Sequence, residues 1–141
     1  MKKYVIGLVL VVLLLLMKAM SPGLYPFAKS YKPSVADLIG GYSSNTPPEK
    51  WYLSLNGDGT YKQVVYSSSG VKIKNSGKWE LECPDYESGC SVYLVNSIIY
   101  PDVPSMGLSK GDWDIEVQRT SSGRPRLIIN DDQDAYFAKL E

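Results

Sequence analysis

Apolar and polar residues alternate with a period of two over most of the chain beyond Trp51. Trp51, Leu53 and Leu55 share one side, and after Gly57-Asp58-Gly59 the same side resumes with Tyr61 and Val65. Successive side chains of an extended backbone point to opposite faces, so this pattern predicts strands that are buried on one face only. Gly57-Asp58-Gly59 tolerates positive φ and predicts a tight hairpin turn between them. A second turn at Ser68-Ser69-Gly70 leads into Val71 and Ile73, with Lys72 and Lys74 on the other side. Gly77 to Glu82 then sets Trp79 and Leu81 against Lys78, Glu80 and Glu82. Residues 51–82 therefore read as an antiparallel meander with one apolar and one wet face.

The flanking segments extend the pattern. Asp37 to Ser43 reads as a short turn or single helical turn entering a first strand, and Asn45-Thr46-Pro47-Pro48 as a loop. Ser91 to Tyr100 is apolar on both sides, with Val92, Leu94 and Ile98 opposite Tyr93, Val95 and Ile99. Such a strand is central or lines a cavity. Pro101 to Gly111 is a long loop carrying Met106 and Leu108. Asp112 to Thr120 places Trp113, Ile115 and Val117 inside and Asp112, Asp114, Glu116 and Gln118 outside. Ser121 to Arg124 turns the chain into Pro125–Asn130, and Asp131 to Asp134 turns it into a last strand from Ala135 to Leu140. The expected class is all-β, with about eight antiparallel strands joined up-and-down into a barrel, which removes both sheet edges. A two-sheet β-sandwich is the alternative.

Ahead of this domain, Met1-Lys2-Lys3 precedes Tyr4 to Met17, a run without charge and rich in Leu and Val. A basic start before an apolar run predicts one N-terminal helix, either a membrane anchor or a secretory signal. As a helix, Tyr4 to Met17 rises about 21 Å against a hydrocarbon core of about 30 Å. Continuing to Met20 lengthens it, with Lys18 able to extend its amine toward the headgroups. The cleavage context is poor, because Ala19 and Ser21 would leave Pro22 at the first mature position, and no Cys follows for lipidation. The organisation is then a helix over 1–20, a Pro- and Gly-containing linker over 21–36 and a barrel over 37–141. The expected location is single-pass in the inner (cytoplasmic) membrane with the domain on the extracytoplasmic, periplasmic side. A domain secreted or released into the periplasm after cleavage is the alternative.

Charge and composition narrow the chemistry. The chain has 15 basic and 15 acidic residues, but Lys2, Lys3 and Lys18 flank the apolar run, which leaves 12 basic against 15 acidic from Ser21 onward. A mildly acidic domain without a basic stripe along its sequence argues against nucleic acid as a partner. The chain has 0 histidines, which removes the commonest general base and the commonest metal ligand. Cys83 and Cys90 are its 2 cysteines, bracketing an irregular polar loop. In an exported protein such a pair predicts a disulfide, whereas a redox pair favours a closer spacing at a helix start.

No catalytic constellation emerges. Without His, a nucleophilic serine would need a lysine, and Ser109-Lys110 are merely adjacent in a loop. Asp112, Asp114 and Glu116 alternate outward on one strand, as expected of a solvated face rather than a carboxylate pair for glycoside chemistry. Asn130-Asp131-Asp132-Gln133-Asp134 offers hard oxygen ligands but lacks the Gly and distal Glu of a Ca²⁺ loop, so it reads as a hairpin tip. Asn56-Gly57-Asp58 reads likewise. No metal and no cofactor is expected.

Asp37-Leu38-Ile39-Gly40-Gly41-Tyr42, Leu53-x-Leu55-x-x-Asp58-Gly59-Thr60-Tyr61 and Gly77-Lys78-Trp79-x-Leu81 together resemble the signature of small exported bacterial lipocalin-like β-barrel proteins of uncharacterised function. Gly111-Asp112-Trp113, Arg126 to Asp132 and Ala135-Tyr136-Phe137-x-Lys139 resemble the close of the same barrel. The resemblance spans residues 37–140 and implies a lipocalin-like barrel. These positions are turns and core, so it carries no catalytic residues. The functional expectation is a membrane-anchored, extracytoplasmic, non-enzymatic binding or interaction module. Its partners would be the membrane through the N-terminal helix, and a protein or a small apolar ligand at the barrel. A periplasmic immunity-type protein that blocks a toxin is one alternative, and a small enzyme with an unrecognised site is another.

Overall fold

Strands form wherever the two-residue period runs: β1 (Gly40–Ser44), β2 (Lys50–Leu55), β3 (Thr60–Tyr66), β4 (Lys72–Glu82), β5 (Cys90–Ile99), β6 (Ser109–Arg119), β7 (Pro125–Asn130) and β8 (Ala135–Lys139). The computed structural model describes residues 31–46, 50–67, 69–84, 89–99 and 107–141. All of them belong to one unit, Tyr31–Glu141. The expected helix over 1–20 lies outside the described residues. Among the described residues, no helix is long and apolar enough to cross a membrane.

The strands pair antiparallel in chain order, and β1 pairs with β8 through Tyr42↔Lys139, Ser43↔Ala138 and Ser44↔Phe137, which closes the barrel. The described residues are thus all-β but for one helical turn, and their sheet is a closed eight-stranded barrel, not a sandwich. A short helix, α1 (Val35–Leu38), precedes β1 and begins in a reciprocal capping box between Ser34 and Asp37. It buries Leu38, whose carbonyl accepts a 2.7 Å hydrogen bond from the Tyr42 hydroxyl. Lys139 of the closing strand donates to the Asp37 carbonyl. Tyr31, ahead of α1, also packs against the core.

Inward positions of all eight strands meet in one apolar cluster. Tyr42, Trp51, Leu53, Leu55, Tyr61, Leu94, Ile115, Leu127 and Phe137 are fully buried within it. Trp113 sets its ring edge-to-face between Trp51, at 6.3 Å, and Phe137, at 6.2 Å. That geometry suits the aromatic quadrupole and brings rings from three strands together inside the barrel. The β2–β3 turn closes with Gly59 at φ 78°, a conformation that costs glycine nothing, and Asp58 accepts from the Thr60 amide and hydroxyl.

Two strands depart from simple alternation. β6 begins at Ser109, three residues before the expected Asp112, so the end of the Pro101–Gly111 segment is strand; residues 101–106 lie outside the described residues. β5 carries a bulge between Leu94 and Ser97, with Asn96 at φ 54°. The bulge shifts the phase, so Ser97 and Ile98 are both buried, at 0% and 2% exposure.

Past the bulge, β5 no longer pairs with β4. Their ladder runs only from Trp79↔Leu94 to Glu82↔Ser91. Side chains of β3 and β4 fill the opening. The Gln63 amide donates to the Ile98 carbonyl at 2.8 Å and accepts from the Ile98 amide at 2.9 Å. It exchanges both bonds with one residue, as an opposing strand residue would in a hydrogen-bonded pair. Tyr61 donates its hydroxyl to the Val95 carbonyl, and Asn75 donates to the Asn96 carbonyl and to Tyr61. Tyr61 crosses directly over Gly77, where a Cβ would lie 2.6 Å from the Val95 oxygen and 2.7 Å from the Tyr61 ring. Only glycine fits that crossing.

At the other end of the β4–β5 ladder, Cys83 and Cys90 form a disulfide with an S–S distance of 2.07 Å, immediately beyond the last pair, Glu82↔Ser91. The bond joins the two strands where they end. The cysteines are 7 positions apart, and closing so short a loop stabilises by about 2–3 kcal/mol. Substituting Cys83 and Cys90 by serine is expected to lower the unfolding free energy read from urea melts by that amount while the barrel's far-ultraviolet circular dichroism is retained. Thiol labelling without reductant is expected to find no free cysteine.

Candidate interaction surface

Rings from β2, β6 and β8 meet in the barrel interior, and the buried polar side chains Gln63 and Ser97 are hydrogen-bonded to backbone. Outward positions sort by charge around the barrel. Register aligns Lys50, Tyr66 and Lys72 in one cross-strand row, Tyr52, Val64 and Lys74 in the next, and Ser54, Lys62 and Ser76 in a third. Lys78 follows opposite Thr60. No Asp or Glu occurs in β2, in β3 or in β4 as far as Lys78. The ion pair among the described residues, Arg124–Glu141, lies elsewhere. Tyr52 and Tyr66 stack edge-to-face at 6.1 Å, and the Lys72 amine sits 5.4 Å from the Tyr66 ring centre. An open groove of about 510 Å³ runs along Lys62, Val64, Lys72, Lys74 and Ser76.

The neighbouring face has the opposite sign. Glu80 and Glu82 of β4 lie beside Tyr93 and Ser91 of β5, which in turn oppose Asp114 and Glu116 of β6. A second groove, of about 660 Å³, is bounded by Glu82, Asp114, Glu116 and the disulfide. Asp112 is tied into the fold: its carboxylate accepts from the Asn96 amide at 2.9 Å and from the Tyr93 hydroxyl at 2.8 Å. The amide bond, then the hydroxyl, hold its pKa below the ordinary value of 3.8. The carboxylate is bound more tightly as the anion in the folded chain, so its contribution is present above pH 3.8 and is lost as pH falls through the lowered folded value. Asp112→Asn is therefore expected to flatten the acid limb of a stability-against-pH curve, read by urea melts from neutral pH downward.

The residues singled out from sequence fall as follows. Asp112, Asp114 and Glu116 are exposed on the outer face of β6. Ser109 and Lys110 are consecutive strand residues and hence point to opposite faces, with the Lys110 amine donating to Asn75. Asn130 to Asp134 forms the β7–β8 turn, with Asn130 accepting from the Gln133 amide and the Asp134 carbonyl accepting from Asn45. Asn56 holds Thr60 and, through its carbonyl, the Trp79 indole. Among the described residues, no group of His, Cys, Asp and Glu has the arrangement of a metal site.

The lysine face was not legible as a stripe in the sequence, since Lys50, Lys62, Lys72, Lys74 and Lys78 are scattered over three strands. Lys72 and Lys74, sharing the wet side of one strand, were its one local signal. Compared with known protein families, with curated protein sequences and with solved structures, the chain matches none.

Proposed function

We propose that the protein is a membrane-anchored, extracytoplasmic, lipocalin-like β-barrel that acts by binding through its outer surface and catalyses no reaction. The observation that carries this reading is the contrast between inside and outside. Trp51, Trp113 and Phe137 occupy the interior, where a carrier of small apolar molecules needs room. The outer faces, by contrast, separate lysines on β2–β4 from carboxylates on β4–β6. Segregated charge steers and orients large partners more than it binds small apolar ones. The basic start and apolar run of Lys2 to Met17 support attachment by the N-terminus. An immunity-type protein that blocks a toxin is one specific form of such a surface binder, and its acidic groove at the disulfide favours a basic partner. The lack of histidine and the separation of Ser109 from Lys110 weigh against an enzyme.

The test is membrane fractionation followed by native and intact mass spectrometry of the extracted protein. The expected species is the uncleaved chain, in the membrane fraction, with no stoichiometric small molecule. A soluble chain beginning near Leu24 would overturn the anchor, and a tightly held apolar ligand would overturn surface binding.

A further inference from the structure

We propose that the lysine–tyrosine face of β2, β3 and β4 docks the barrel sideways on an anionic phospholipid bilayer. The proposal deepens the membrane-attached reading and rests on it for the bilayer's proximity. Lys50, Lys62, Lys72, Lys74 and Lys78 share the face with no Asp or Glu in β2, in β3 or in β4 as far as Lys78, and the nearby Asp58, in the β2–β3 turn, is tied to Thr60. Each lysine near an anionic bilayer is worth about 1 kcal/mol, which is about fivefold in binding. Tyr52, 38% exposed, lies among these lysines, and Val71, 57% exposed, sits at the adjoining hairpin tip. Tyrosine rings and lysine stems suit the headgroup level, where an apolar body meets a polar tip.

Two further features favour a bilayer over other anionic partners. Attachment by the N-terminus, on the reading above, raises the barrel's effective concentration at the bilayer, so weak docking is enough. The carboxylates Glu80, Glu82, Asp114 and Glu116 lie on adjacent outer strands. The same anionic surface repels them, which fixes one orientation and leaves the acidic groove at the disulfide facing solvent.

The experiment uses residues 31–141, whose eight strands pair with one another and whose barrel closes within the fragment. Isotope-labelled fragment is titrated with vesicles of equal parts phosphatidylcholine and phosphatidylglycerol, and with phosphatidylcholine alone, at low ionic strength. Expected is selective loss of amide signals from β2–β4 with the anionic vesicles only, reversed by added salt. Lys62→Gln with Lys74→Gln is expected to weaken binding on the order of 25-fold, with an unchanged melt. Lys32→Gln, ahead of α1, is expected to leave binding as it was. No binding to the anionic vesicles, or equal binding to both lipids, overturns the proposal. So does a salt-sensitive self-association without lipid that Glu80→Gln with Asp114→Gln abolishes, which would assign the face to a second copy of the chain. These outcomes are independent of the anchor: a full-length chain recovered in membranes whose barrel ignores anionic vesicles overturns the docking and leaves the attachment standing.

Discussion

Replacing Trp79 by alanine is expected to destabilise the barrel by about 3–5 kcal/mol, through lost burial and the cavity left behind. Trp79 is 4% exposed and belongs to the apolar cluster with Trp51, Leu53 and Leu55. It also ties the β2–β3 turn to β4, since its indole donates to the Asn56 carbonyl and its amide to the Gly59 carbonyl, each at 2.9 Å. Domains of this size hold about 5–15 kcal/mol in total, so the loss reaches a large fraction of the whole. Urea melts of residues 31–141 measure it. Trp79→Phe keeps most of the apolar contact and gives up the indole bond, so it is expected to lose only about 1 kcal/mol from that bond, plus a small packing term. A residue that served only as a stacking platform would leave both melts unchanged.

The second large effect is at Gln63. Gln63→Leu preserves approximate volume but leaves the buried amide and carbonyl of Ile98 without their partner. An unsatisfied buried polar group costs about 1–3 kcal/mol, so the pair is expected to cost about 2–6 kcal/mol. The expected signature is local as well as global. Hydrogen exchange at Ile98 and its neighbours in β5 is expected to quicken well beyond that at the β2–β3 ladder, because no second strand backs the segment past the bulge. If exchange in β5 follows the global stability alone, the glutamine is packing rather than a stand-in for a strand.

These two residues show where the sequence was readable. Trp79 could be placed because it sits in a strict alternation with Leu81 on one side and Lys78, Glu80 and Glu82 on the other. Ile115 and Val117 were equally plain, and so was the disulfide, whose cysteines bracket one loop. Gln63 was opaque. A glutamine at an inward position reads as an interruption of an apolar face, and the backbone it serves is 35 residues away. The cause of that opening, Asn96 at positive φ, leaves little mark either, because asparagine occupies turns and strands alike and both faces of β5 are apolar. The lysine face was hidden for a different reason: it exists only after register has aligned three strands. A period-two reading shows which side a residue takes but not which residues of other strands stand beside it.

Closure of the barrel by β1 and β8 also sets the order in which the chain can fold. Tyr42 pairs with Lys139, so the first strand described waits for nearly the last residue of the chain. Every other pairing joins strands consecutive in sequence and can form as the polypeptide emerges. During that interval β1 is held only by β2, and its outer edge offers unpaired amides and carbonyls to any strand that arrives first. Seating a last contact of such long sequence separation is slow relative to hairpin formation. A nascent chain stalled short of Ala135 would thus carry an open sheet with two free edges, and misassembly with a neighbouring copy would compete with completion. The Lys139 amine on the Asp37 carbonyl then acts as the final latch, made when the two ends of the barrel meet.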